Sequence, residues 1–313
     1  MAENKKIKKA VILAGGLGTR FLPATLAIAK ELFPISEKPI LMYQLEDLAN
    51  AGFTDILIVG NHLKESSFLS FIHPPKNYIE KVEMENKMMY LDEYNKLFSK
   101  LENVSYVNQE IGSDFFNEHN GDNGEKLGSS IAILACKDWA NGEPFMAING
   151  DDYCVYDDGK SPSKELVDLF EKTGDYVVYG RACNKSEIYK YSSMVLGKKL
   201  YDGAFKMDDI IEKPKVEEAP SNIMGFAKYI FNSDVFDEIL RSKPTTNGEY
   251  CITDIISDKA KQGLVSTCIF NGTYFDCGSK IGLQMAGNYV LLRDKQFKDA
   301  LIQEFENMKN KLK

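Results

Sequence analysis

An α/β fold with a mixed, mostly parallel sheet, helices on both faces and a helical extension at the C-terminus is predicted by three observations. Lys9–Ala14 (KAVILA) and Asp55–Asn61 (DILIVGN) are short apolar runs bounded by glycine or polar residues, the pattern of strands buried on both faces. Between them, Pro39–Ala51 (PILMYQLEDLANA) has apolar residues at helical spacing, opens on proline and stops one residue before Gly52. Strand, helix and strand in that order make a βαβ unit, and a βαβ unit implies parallel strands.

The remaining elements follow in chain order. Asn77–Leu101 mixes charged and apolar residues without glycine or proline, which predicts an exposed helical insertion or lid support whose methionines and tyrosines serve packing. A short strand is expected at Val104–Val107, followed by a polar, mobile loop from Gly112 to Lys126 (GSDFFNEHNGDNGEK). Pro144–Gly150 (PFMAING) reads as another buried strand, ending at Asp151-Asp152. Strands are predicted at Asp175–Gly180 and Met224–Phe231, helices at Lys164–Lys172 and Ser233–Arg241, and a helical tail over Lys280–Lys311. With no internal repeat or linker, the whole of residues 1–313 is expected to be one domain, with an insertion at about 77–101 and an extension at about 280–313.

Composition narrows the function. Against 38 basic residues stand 46 acidic ones, a formal net charge of −8, which disfavours the broad basic face that nucleic acid requires. A small phosphate ligand is still admissible, because a few local cations can dominate a cleft. No apolar run approaches the roughly 20 residues that span a bilayer. The basic start, MAENKKIKKAVILAGG, lacks the hydrophobic segment and cleavage site of a signal peptide. A cytoplasmic protein without nucleic-acid or membrane partners is expected. The six cysteines (136, 154, 183, 251, 268 and 277) lie singly and read as reduced packing residues, and with three histidines a zinc cluster is not expected.

The chemistry begins at Ala14-Gly15-Gly16-Leu17-Gly18-Thr19-Arg20, directly after the first strand. Glycines there let backbone N–H groups approach phosphate oxygens. Phe21 breaks the dinucleotide-binding GxGxxG, and GKS at Gly159–Ser161 has Cys154 where a Walker A loop needs glycine. A bare tight turn would explain the glycines equally well; the continuation decides. GGLGTRFLPATLAIAKELFPISEKPI resembles the sugar-nucleotide pyrophosphorylases, with G-G-x-G-T-R-x-x-P-x-T followed by K-E-x-x-P-x-x-x-K-P, and within them the uridylyltransferases. Further segments extend the likeness over nearly the whole chain: VNQ (107–109), KLGSSIAIL (126–134), NGDD (149–152), IIEKPK (210–215) with MGFAKYIF after it, NGEYCITDII (247–256) and FDCGSKIG (275–282).

This resemblance implies a Rossmann-like nucleotidyltransferase fold and Mg²⁺-dependent transfer of a uridylyl group from UTP to glucose 1-phosphate, giving UDP-glucose and pyrophosphate. By position in these motifs, Ala14, Gly15, Gly16, Gly18 and Thr19 would cradle the nucleotide, Gln109 would meet the uracil, and the backbone at Gly128 would pass the base. Such a transfer brings anions together and expels another, so it depends on positioning and charge neutralisation. Arg20 can grip phosphates bidentately and Lys30 can set a point charge at the α-phosphate. Asp151 and Asp276 would hold Mg²⁺, an ion that prefers oxygen and keeps several waters. Asp151 is preferred to Asp152 because it directly follows Gly150. Asp152, Glu212, Lys213 and Gly225 would serve the sugar and its phosphate. Each residue alone has a plainer reading, as a solvated charge or a turn cap, and the motif context is what sets it apart.

Departures touch the substrate. Leu26 replaces a usual lysine, Ala29 a usual proline, and Tyr191-Ser192-Ser193-Met194 stands where the family has Y-G-V with its glycine against the sugar. The same chemistry on another sugar 1-phosphate, or with dTTP or CTP, is therefore the alternative, with a non-catalytic sugar-nucleotide sensor as the other. The family is often dimeric or tetrameric, and the 77–101 and 280–313 segments are candidate contacts between copies.

Overall fold

The computed structural model describes residues 6–120, 128–244 and 250–312. Nine strands form its main sheet: β1 (Lys9–Leu13), β2 (Asp55–Gly60), β3 (Asn103–Asn108), β4 (Phe145–Asn149), β6 (Tyr176–Ala182), β7 (Ser192–Tyr201), β8 (Ala204–Ile211), β9 (Ile223–Phe231) and β10 (Val265–Ile269). A separate two-stranded ribbon pairs β5 (Asp152–Val155) with β11 (Thr273–Asp276). The main sheet runs β3-β2-β1-β4-β9-β6-β10-β8-β7, and its strands share one direction except β9 and β8.

Alternation along the strands explains their apolar runs. Ala10, Ile12, Ile56, Ile58, Met146 and Ile148 face one core, with Leu41, Leu45 and Leu48 of α1 (Ile40–Ala51), Phe68 of α2 (Glu65–Ile72) and Leu166 and Leu169 of the later Pro162–Thr173 helix. Val11, Leu57, Val59, Phe145 and Ala147 face the other core, with Phe116, Ile131 and Leu134 and with Val235 and Ile239. Both faces of β1, β2 and β4 are buried, so no polar alternation survives there. The C-terminal ends of β1, β3 and β4 open on one edge, the position where α/β sheets bind ligands.

Three expectations change. The helix expected over 77–101 is divided into α3 (Lys76–Met84) and α4 (Asp92–Phe98), because Asn86 turns left-handed at φ 53° and a 3₁₀ turn at Met88–Leu91 follows. The loop expected from Gly112 is helical over α5 (Glu110–Asn120), because Phe116, four residues after Gly112, is buried against Tyr250. Residues 121–127 of that expectation, Lys126 included, lie outside the described residues, as do Asn247, Gly248 and Glu249. The β7–β8 hairpin was not expected, although Asp202-Gly203 between its strands is a hairpin turn dipeptide with Gly203 at φ 77°.

α6 (Ser129–Leu134) packs on α5, and α7 (Pro162–Thr173) starts where the Ser161 hydroxyl accepts from the Lys164 N–H. α8 (Val235–Arg241) and α9 (Ile252–Lys261) cover the second face. The tail is helical as expected, in α10 (Lys280–Arg293) and α11 (Lys298–Lys311), and no residue of α11 is buried.

Candidate active site

The glycine loop leaves β1 beside β2: the Ala14 N–H donates to the Val59 carbonyl at 2.7 Å and the Asn61 amide to the Gly15 carbonyl at 2.8 Å. Gly18 sits at φ 67°, its carbonyl accepting from the Thr25 hydroxyl at 3.0 Å, and 3₁₀ turns rather than an α-helix follow at Thr19–Phe21, Ala24–Leu26 and Lys30–Leu32. What this loop can offer an anion is therefore backbone N–H groups and not a helix end. Gln109 immediately precedes α5, and its carboxamide lies against Gly15.

The last turn of this segment carries Lys30 inward. Its ammonium lies 2.5 Å from Asp151 Oδ2 and 2.9 Å from Glu31 Oε1, with its stem 3.4 Å from the position a Cβ would take at Gly16. Burial works against the Lys30 cation, but the Glu31 and Asp151 carboxylates outweigh it and push its pKa up to about 12. Lys30 is a fixed positive charge beside the glycine loop.

Asp151 leaves β4 through Gly150, and the ribbon brings Asp276 to it. Asp276 pairs with Asp152 in the β5–β11 register, and the Cys277 N–H donates to the Asp151 carbonyl at 2.9 Å. A Cβ at Gly278 would fall against Asp151 Oδ2 and 3.0 Å from Asp276 Oδ1, so both carboxylates face one point that only glycine leaves open. Burial and the neighbouring Asp151 raise the Asp276 pKa. Arg20 donates to the Gly278 carbonyl at 3.0 Å and lies 3.9 Å from Asp276, its side chain 69% exposed toward solvent.

This centre suits a divalent cation. Asp151 and Asp276 present two carboxylates to one point, flanked by the two cations Lys30 and Arg20. The donors are hard oxygens, and no cluster of three or more histidine, cysteine, aspartate or glutamate ligands exists among the described residues. Two carboxylates with the other positions left to water or phosphate is the way Mg²⁺ is commonly held.

Beyond the pair opens a cleft of about 250 Å³ whose lining includes Asp152, Tyr191, Ser192, Glu212, Gly225 and Tyr274. Asp152 is buried, accepting from the Tyr274 hydroxyl at 2.6 Å and the Asn149 amide at 2.9 Å. Burial and Asp151 outweigh those bonds and push its pKa up to about 7. Glu212 accepts from the Thr253 hydroxyl at 2.8 Å. Gly225 meets the β7 edge: a Cβ there would lie 2.7 Å from the Ser192 hydroxyl.

The structure thus gathers Arg20, Lys30, Asp151 and Asp276 into one centre, and Asp152, Glu212 and Gly225 into the adjoining cleft. Lys213, at φ 42° with its side chain 63% exposed, stands beside Glu212 at 3.6 Å and touches neither carboxylate of the pair. The nearest neighbours of Gly128, which caps α6, are backbone atoms of Tyr250 and not the glycine loop. Sequence reasoning passed over Glu31, Tyr274 and Gly278. Glu31 and Gly278 stand inside the quoted motifs, whereas Tyr274 becomes visible only through the ribbon pairing.

The profile of the nucleotidyl transferase family matches residues 9–291. The UTP–glucose-1-phosphate uridylyltransferase 2 of Staphylococcus saprophyticus is 30% identical over 97% of this chain and 99% of its own. The UTP–glucose-1-phosphate uridylyltransferase of Pseudomonas aeruginosa is 33% identical over 90% of this chain and 95% of its own. A crystal structure of UDP-glucose pyrophosphorylase complexed with UDP-glucose superposes with a TM-score of 0.79, at 30% identity, over 92% of this chain and 100% of that one. A UTP-bound UGPase from Acinetobacter baumannii shares the fold at a TM-score of 0.81 and 23% identity, over 98% of this chain and 100% of that one. With a match that runs from β1 through most of α10 and takes in the glycine loop, Lys30 and both carboxylates, the chain belongs to the nucleotidyl transferase family.

Proposed function

We propose that this protein transfers a uridylyl group from UTP to glucose 1-phosphate, forming UDP-glucose and releasing pyrophosphate. The observation that carries this reading is the meeting of Lys30, Asp151 and Asp276 between a glycine loop and a polar cleft. Two anions must approach one another there, and the centre supplies the charges that reduce their repulsion.

In this mechanism the backbone N–H groups of Gly15, Gly16, Gly18 and Thr19, following Ala14, hold the triphosphate, and Gln109 orients the base beside Gly15. Arg20, exposed at the mouth, closes on the phosphates that leave as pyrophosphate. Lys30 neutralises charge at the α-phosphate. Asp151 and Asp276 hold Mg²⁺, which when bound offsets phosphate charge and orients oxygens. Glu212 accepts hydrogen bonds from sugar hydroxyls, Asp152 and the Gly225 backbone shape the floor, and Lys213 turns inward to the sugar phosphate, whose oxygen attacks the α-phosphorus in line with the departing pyrophosphate. No covalent enzyme intermediate is needed. Gly128, at the start of α6, borders the base side.

The Ser192 hydroxyl beside Gly225 favours one second reading, the same transfer to a different sugar 1-phosphate. Purified protein with UTP, Mg²⁺ and glucose 1-phosphate is expected to release pyrophosphate, with UTP preferred to dTTP and CTP at equal concentration. No release with any member of a panel of sugar 1-phosphates overturns the proposal.

We also infer one domain across the chain, a cytoplasmic location, and association into dimers or tetramers. Among the described residues no helix is long and apolar enough to cross a membrane, and all six cysteines are unpaired. The tail leaves Ile281, Met285, Ile302, Phe305 and Met308 exposed, an apolar face suited to a second copy. Light scattering of Phe305→Glu beside the parent should give a smaller species; equal masses would rule out this face.

A further inference from the structure

We propose that Glu31 is a positioning residue, a buried counter-charge that keeps Lys30 in the centre when Asp151 is given over to a divalent cation. The inference rests on the proposed assignment of Asp151 to the metal.

Glu31 is fully buried, at 0% exposure, in a position that stability alone does not favour. Its Oε1 lies 2.9 Å from the Lys30 ammonium, and no other described side chain donates to either of its oxygens. A carboxylate with one partner and otherwise unbonded oxygens costs desolvation that well-packed apolar atoms of the same volume would avoid. The space around it is shaped for it nonetheless. A Cβ at Gly150 would lie 2.8 Å from Glu31 Cγ, so the glycine that delivers Asp151 also admits Glu31 beneath it.

Lys30 therefore has two carboxylate partners of different character. Asp151, with a side chain 24% exposed, faces the point above Gly278 that it shares with Asp276. Glu31 faces only Lys30. A cation arriving between Asp151 and Asp276 competes with Lys30 for Asp151 Oδ2, and Lys30 must release that oxygen without leaving the centre. Glu31 makes the release possible, since the ammonium keeps one short ion pair and swings toward the glycine loop, where its stem already lies beside Gly16. Without Glu31, Asp151 is the one carboxylate left to Lys30, and Lys30 obstructs the metal.

The test is a double-mutant cycle on binding of Mn²⁺ alone to the full chain, read from the electron paramagnetic resonance of the free ion, with thermal melts to establish that each variant is folded. Glu31→Gln is expected to weaken Mn²⁺ binding by about fivefold or more, the size of a coupling between contacting residues. Lys30→Met is expected to bind at least as tightly as the parent, and adding Glu31→Gln to Lys30→Met is expected to change nothing further. Equal affinity of Glu31→Gln and the parent overturns the proposal. So does an equal loss from Glu31→Gln in both backgrounds, because Glu31 would then act through its field and not through Lys30. If Glu31→Gln does not fold, Glu31→Asp, which draws the charge back from Lys30, carries the same cycle and the same outcomes. Parent binding that Asp151→Asn leaves intact overturns the metal assignment, and this inference with it, and is recognisable as that separate failure.

Discussion

On one side of the cleft Lys30, Glu31 and Asp151 have side-chain exposures of 12%, 0% and 24%, each fixed by charged partners within 2.9 Å. On the other, Lys213 is 63% exposed at 3.6 Å from its partner, and the cleft is lined by serine, tyrosine and glycine together with Lys190, Asp152 and a hydroxyl-bonded glutamate. The first wall descends from strands parallel to one another, whose ends are held in register by neighbours on both sides. The second rests on a hairpin and on β9, whose pairing with β6 shifts register between Gly225 and Tyr229. Under the proposed function, Lys30 and Asp151 are sunk in the fold, whereas Arg20 and Lys213 stand exposed at its rim and the sugar side offers hydroxyl, backbone and carboxylate groups.

The largest expected effect lies on the charged wall. Lys30→Met should lower kcat for pyrophosphate release by about 10²–10³-fold, the usual cost of removing one preorganised group, with the fold intact by circular dichroism. A loss of less than about fivefold would place the α-phosphate elsewhere. Asp276→Ala should lower turnover by about 10²-fold and raise the Mg²⁺ concentration needed for half-maximal rate. An unchanged Mg²⁺ requirement would remove Asp276 from the metal site.

Changes in the second wall should act on selectivity. Ser192→Gly is expected to raise kcat/KM for glucose 1-phosphate relative to other sugar 1-phosphates by about tenfold while leaving UTP use intact. Equal ratios in a competition assay would mean the hydroxyl beside Gly225 does not touch the sugar. The smallest effect concerns Asp152. Between its ordinary 3.8 and about 7 the folded protein holds a proton that the unfolded chain has lost, so this carboxyl lowers stability as pH rises through that window. Asp152→Asn removes the fall, and its Tm relative to the parent should be higher at pH 8 than at pH 5 by roughly 2–4 °C in metal-free buffer. A pH-independent difference would contradict the buried, proton-retaining carboxyl.

The same contrast governs what the sequence made legible. The βαβ start, the strand ending at Asn149 and the two aspartates that meet above Gly278, Asp151 and Asp276, were readable, because buried parallel strands leave unbroken apolar runs and the charged residues sit in long motifs. The β7–β8 hairpin was not read, since its strands are half exposed and interrupted by Gly197 and two lysines, although its turn dipeptide was visible. The α5 helix was hidden by polar residues around Phe116, whose burial depends on Tyr250 far along the chain. Tyr274 could not be found at all, because its bond to Asp152 exists only once β11 pairs with β5. Glu31 was in view as a letter of the motif, and its role emerges only from its burial under Gly150.

The most direct test of the central claim, that the buried charges of the first wall carry uridylyl transfer, is ³¹P nuclear magnetic resonance of UTP and glucose 1-phosphate incubated with the protein and Mg²⁺. Resonances of UDP-glucose and pyrophosphate should appear together in equal amounts and be absent with Lys30→Met over the same interval. An unchanged spectrum with the parent protein, or one that shows nucleotide hydrolysis to orthophosphate in place of transfer, would contradict it.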